Sequence, residues 1–134
     1  MKKILSFLAS MIAIAILFTA CSKSPDKVLD RKDGKWNAVL TSTEIIDGVV
    51  GETDATIATF IFDDDKFTLI DDENDAQVGT WTANKDKVTL IIDGDAIVFD
   101  VVKSGKKSQE WETSEKDVYQ GMTFEYKINI KLTR

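Results

Sequence analysis

The chain has no histidine, one cysteine and one proline in 134 residues, and its 17 Lys and Arg are outnumbered by 23 Asp and Glu. Without His, the commonest general base, the commonest metal ligand and any Ser-His or Cys-His nucleophilic pair are gone. One Cys excludes an intrachain disulfide and a thiolate-rich zinc site. A net charge of −6 argues against a nucleic-acid partner, whose phosphates call for basic patches. Gly-rich phosphate loops and G-x-S-x-G elbows are also missing. The length holds one domain.

The carboxylates are numerous but poorly arranged for chemistry. Asp71-Asp72-Glu73-Asn74-Asp75 offers alternating oxygens, yet a calcium loop counted from Asp71 would need Gly where Ala76 stands and Glu where Thr82 stands. The pairs Asp63/Asp65 and Asp93/Asp95 read as turn chemistry, in which Asp bonds nearby backbone. Only Glu44, in a long apolar run, is a candidate to point inward, and a glycosidase would need a second carboxyl facing it. No metal, cofactor or reaction is expected.

The N-terminus reads as an address. Met1-Lys2-Lys3 precedes the uncharged run Ile4 to Ala20, the layout of a signal peptide. Leu17-Phe18-Thr19-Ala20-Cys21 resembles a bacterial lipobox, which implies cleavage before Cys21 and acylation of its sulfur. Several acyl chains on one residue make a stable anchor. Ser22 after the Cys resembles the outer-membrane sorting choice, so the implied location is the outer membrane, facing either the periplasm or the outside. The polar stretch Ser22–Gly34 reads as a flexible tether completing a segment 21–34. A short helix from Pro25, resting on Val28 and Leu29, is the alternative.

From Lys35 onward there is no Pro, and apolar residues alternate in short runs. Met122, Phe124, Tyr126, Ile128, Ile130 and Leu132 take the even positions of the last run, with polar residues between them. That is the period of a half-buried strand. The other strands are Trp36–Ile46, Thr56–Phe62, Phe67–Ile70, Gln77–Ala83, Lys87–Ile92, Ala96–Val102 and Glu110–Thr113. Asp93-Gly94 is a type I′ hairpin signal, and Asp47-Gly48 is a second turn. Eight strands at near-regular spacing, with no helix between them, predict an all-β antiparallel up-and-down meander over 35–134. Closure into a barrel would hide its edges.

Gly34-Lys35-Trp36 opens this meander, and Gly79-Thr80-Trp81 repeats the G-x-W pattern midway. The chain resembles the small lipocalin-like domains of Gram-negative bacterial lipoproteins. That resemblance implies that Trp36 closes one end of the barrel against a basic residue of the last strand, Lys131 or Arg134. The expected interior, either core or ligand lining, is Trp36, Phe60, Phe62, Phe67, Trp81, Phe99, Phe124 and Tyr126. The expected function is non-catalytic binding of a small hydrophobic or amphipathic ligand. The rival is a solid barrel that captures an envelope protein partner, or inhibits a secreted enzyme, through the loops Gly48–Asp54, Ser104–Ser108 and Asp117–Gly121. Tyr119, Val118 and Met122 are its nearest approach to an exposed anchor.

Overall fold

The computed structural model describes residues 23–134, so the expected signal peptide, the expected lipobox and Cys21 lie outside the described residues. A one-turn helix, α1 (Pro25–Val28), precedes eight strands: β1 (Lys35–Ile46), β2 (Val49–Asp63), β3 (Lys66–Asp71), β4 (Ala76–Ala83), β5 (Lys87–Ile92), β6 (Asp95–Ser104), β7 (Ser108–Tyr119) and β8 (Met122–Thr133). Each strand pairs antiparallel with the next, and β1 pairs with β8, so the meander closes into a barrel of lipocalin-like form without a free edge.

Tight turns make this connectivity possible. Asp47-Gly48, Asp93-Gly94 and Gln120-Gly121 all have positive φ at both residues, the type I′ geometry whose twist matches that of the flanking strands. Gln120-Gly121 does the same work as the two Asp-Gly pairs, although Gln is not a favoured turn residue.

The strands differ in length, and this gives the barrel two unlike ends. β3, β4 and β5 are short, whereas β1, β2, β7 and β8 run 12 to 15 residues. The long four rise beyond the short ones on one side as a flared sheet in the order β2-β1-β8-β7. Two segments expected to be loops, Gly48–Asp54 and Asp117–Gly121, are therefore mostly the upper parts of β2 and β7. The turn 47–48 is tied to the start of β8 beside the turn 120–121. The Asp47 backbone N–H donates to the Thr123 carbonyl at 2.8 Å, and the Thr123 N–H donates to Asp47 Oδ1 at 2.8 Å.

The opposite end is closed and filled. Trp36, Phe60, Phe62, Phe67, Trp81, Phe99 and Trp111 are all buried there with Val88, Leu90, Ile130 and Leu132. Phe60 and Phe62 stack at 5.5 Å between centroids, and Trp81 meets Phe62 edge-on at 5.3 Å. Trp111 touches Phe60, Phe62 and Phe99 at 6.2–6.3 Å. These are the offset and edge geometries that aromatic quadrupoles favour.

Both glycines of the G-x-W pairs are dictated by this packing. A Cβ on Gly34 would lie 1.9 Å from the Phe62 carbonyl oxygen, and one on Gly79 would lie 2.2 Å from the Ile91 carbonyl oxygen and 2.8 Å from the Phe67 ring. The residue after next in each case is a tryptophan buried in the core.

The expected flexible tether is a correction. From Lys23 on, this segment packs across the closed end, with Val28 and Leu29 buried in contact with the barrel. The reason is a hydrogen bond as much as apolar area. Trp36 Nε1–H, fully buried, donates to the Leu29 carbonyl at 2.9 Å. Without that segment the indole would be an unsatisfied donor, which costs about 1–3 kcal/mol.

Candidate functional site

The inward-facing positions of β1, β8 and β7 form cross-strand rows that can be followed up the wall. Ala38, Leu132 and Gln109 make the lowest row, then Leu40, Ile130 and Trp111. Above them come Ser42, Ile128 and Thr113, then Glu44, Tyr126 and Glu115, then Ile46, Phe124 and Asp117. The lower two rows belong to the core. The upper rows stand in the open mouth and on the flared sheet.

In the mouth lies a pocket of about 260 Å³ bounded by Leu40, Ala58, Leu69 and Ile128, with Ser42, Thr56 and Asp71 at its rim. Its floor is apolar because Ala58, a small residue on the inner face of β2, leaves room directly above Phe60. Asp71 is positioned by its own turn, where Oδ1 accepts the N–H groups of Glu73 and Asp75 at 2.9 Å each. That acidic run is turn chemistry. Among the described residues no group of three His, Cys, Asp or Glu side chains converges to hold a metal.

Higher on the same face Glu115, Asp117, Phe124 and Tyr126 border a second, more open hollow. Tyr126 lies between Glu44 on one side and Glu115 on the other, one strand spacing away from each. Glu44, the single carboxylate expected to point inward, is half-buried on this wall.

Of the eight aromatics expected in the interior, Trp36, Phe60, Phe62, Phe67, Trp81 and Phe99 are core. Phe124 and Tyr126 are corrections in the other direction. They hold the inward parity, but Phe124 is only half-buried and Tyr126 is 54% exposed. Parity fixes the face of a strand and not the height, and β8 carries both residues above the level of β3–β5.

Trp111 is the residue that sequence reasoning missed. It is fully buried and donates through Nε1 to Gln109 Oε1 at 3.2 Å. Gln109, the one buried polar side chain among the described residues, in turn donates from Nε2 to Ser104 Oγ and the Gly105 carbonyl. The available signal was the Trp itself, since a Trp between charged neighbours in a predicted strand rarely faces water.

At the closed end the expected cation on Trp36 is present. The Arg134 guanidinium lies 4.1 Å from the indole centroid, within the range of a cation–π contact. It is pinned there by bonds from Nε to the Lys106 carbonyl at 2.8 Å and from Nη1 to the Arg31 carbonyl at 3.1 Å. Lys131, the alternative, is exposed beside Glu110 in the β7–β8 register. No protein-family model, curated protein or solved structure matches the chain.

Proposed function

We propose that this chain is an outer-membrane lipoprotein, anchored through Cys21, whose lipocalin-like barrel binds a small amphipathic molecule in its open mouth without catalysis. The observation that carries the reading is the division of the barrel's interior. Aromatic side chains fill one end, and the other opens into an apolar-floored pocket with a polar rim. At about 260 Å³ the pocket lies just below the usual range of small-molecule sites, about 300–1,000 Å³. It suits a short acyl or single-ring body on Leu40, Ala58, Leu69 and Ile128. A polar group would then meet Ser42, Thr56 or Asp71, with Phe124 and Tyr126 as the wall above.

The test is native mass spectrometry of the protein gently extracted from its own envelope, followed by organic extraction of what travels with it. The expected result is a recurrent adduct of roughly a few hundred daltons, the size class such a pocket admits. It should be absent from a Thr56→Trp variant, whose indole occupies the mouth. A bare barrel in both proteins refutes the reading.

A second reading has its own support. Val49, Val118 and Tyr119 are each at least 65% exposed at the joined hairpin tips, and Met122 is 42% exposed. Apolar exposure gathered in one place marks interaction surfaces. A co-purifying envelope protein lost on Tyr119→Ser would favour it.

A further inference from the structure

The closed end carries a charge pattern that, Arg134 on the Trp36 face apart, neither the core nor the mouth accounts for. A depression of about 500 Å³ there is lined by Lys23, Lys27, Arg31, Lys32, Lys106, Lys107 and Arg134, with Val28 as its one apolar member. In a chain of net charge −6, seven cations and no carboxylate share one surface. Asp26, Asp30 and Asp33 belong to the same segment but do not line it. Among the described residues the one ion pair joins Lys87 and Asp100, so no carboxylate neutralises these cations at ion-pair distance. Packing of seven like charges costs stability through mutual repulsion.

The position of this surface gives it a partner. Lys23 is fixed to the end of β6, its N–H donating to the Ser104 carbonyl at 3.3 Å and its carbonyl accepting from Ser104 Oγ. Two peptide steps separate Lys23 from Cys21, a span of at most about 7 Å. An acylated Cys21 therefore brings the bilayer against the closed end itself, not to the far end of a tether.

We propose that the basic depression at the closed end is a membrane-docking face that binds the phosphate headgroups of anionic phospholipids. The proposal rests on the anchoring reading of Cys21 for its geometry, and on the seven cations for its chemistry. Lys27, Lys32, Lys106 and Lys107 supply long-range attraction to a negative leaflet. Val28 is buried beneath them, so the contact with the interface is made by the charged side chains. Docked this way, the barrel stands upright, with its mouth facing away from the bilayer.

The test uses the mature protein extracted from its envelope and returned to vesicles, one set of phosphatidylcholine alone and one containing an equal part of phosphatidylglycerol. Acetylation of each lysine is read by mass spectrometry, with Lys116 and Lys127 on the upper barrel as internal references. The anionic vesicles should slow acetylation of Lys27, Lys32, Lys106 and Lys107 by about fivefold or more relative to phosphatidylcholine, and the protection should fade near about 0.5 M salt. A double variant, K106E with K107E, changes exposed side chains only. It should lose the protection of Lys27 and Lys32 while its near-ultraviolet dichroism keeps the signature of the packed tryptophans. Equal acetylation on both vesicle types overturns the proposal, as does protection that survives in the double variant. Protection by soluble polyglutamate and not by vesicles overturns it in favour of an acidic polypeptide. The mass of the N-terminal peptide judges the anchor separately. An unmodified Cys21 refutes the lipoprotein reading, while the acetylation pattern still decides the basic face.

Discussion

The two ends of this barrel are built on one backbone pattern and do different things with it. At the closed end, the inward rows of β1, β7 and β8 are Ala38, Gln109 and Leu132, then Leu40, Trp111 and Ile130, and nearly all of these are withdrawn from water. Three rows higher, the same inward parity delivers Ile46, Phe124 and Asp117, none of them fully buried. Basic residues cluster in one depression of the closed end, although Asp63, Asp64, Asp65 and Asp86 stand at the other turns there, and the turns of the open end carry Asp47, Asp72, Glu73, Asp75, Asp93 and Asp95. Strand period decides which side of the wall a residue occupies. The number of strands that reach its level decides whether it is core. Where all eight strands are present the inner face is packed, and where only four remain it is a surface open to a ligand.

The largest test of that difference compares two phenylalanines of the same inward parity. Phe62→Ala removes a fully buried ring that touches Phe60, Phe67, Trp81 and Trp111. It should cost about 3–5 kcal/mol in urea unfolding. Phe124→Ala, half-buried on the flared sheet, should cost less than about 1.5 kcal/mol. Equal losses at the two sites would mean that the flared sheet is as much core as the lower barrel, and the division drawn above would fail.

Next in size is Gly34→Ala. The residue has φ +65°, and its added Cβ would meet the Phe62 carbonyl oxygen at 1.9 Å. Backbone on both sides cannot yield easily, so a loss of about 2–4 kcal/mol is expected from chemical denaturation. The same substitution at Gly48 in the open-end turn meets no atom within 4 Å. There only the left-handed backbone opposes it, with a cost of about 1–2 kcal/mol. A reversal of that order would show that the open end is the more tightly constrained.

Arg134→Ala follows, at about 1–2 kcal/mol, because it removes the cation from the Trp36 face and two bonds that tie α1 and the β6–β7 loop to the barrel's last residue. Arg134→Lys should recover less than half, since an ammonium cannot stack and reach both carbonyls together. Thermal melts of the three proteins separate charge from geometry. Full rescue by Lys would leave charge as the whole effect.

The legibility of the sequence follows the same axis. Lower-barrel strands announce themselves because one face is dry and the other wet, as in Lys87–Ile92, found over the expected residues. Val49–Thr56 is exposed throughout, so the upper half of β2 has no alternation to read and looked like a loop. β7 fails as a signal for a related reason. Its inward residues Gln109, Thr113, Glu115 and Asp117 are polar, leaving Trp111 as an isolated apolar position. The docking of 23–34 was hidden because its decisive contribution, a carbonyl for the Trp36 indole, has no side-chain signature. The pocket in the mouth was equally hidden, since it depends on Ala58 standing above Phe60 at a height that only the assembled barrel defines.

The smallest expected effect on stability is the sharpest probe of the open end. Tyr126 is 54% exposed and stands between Glu44 and Glu115 with no hydrogen bond from its hydroxyl among the described residues. Tyr126→Ser leaves a polar group on a wet sheet face and should change unfolding free energy by no more than about 0.5 kcal/mol. If the mouth binds an amphipathic molecule, the same change removes the aromatic wall above the pocket, and retention of the bound adduct in native mass spectrometry should fall while the melt stays in place. A tyrosine that packed as core would give the opposite pair of results, with a shifted melt and an unchanged adduct. The two readouts therefore decide whether the inward face of β8 changes its role between Ile130 and Tyr126, as the loss of the neighbouring strands requires.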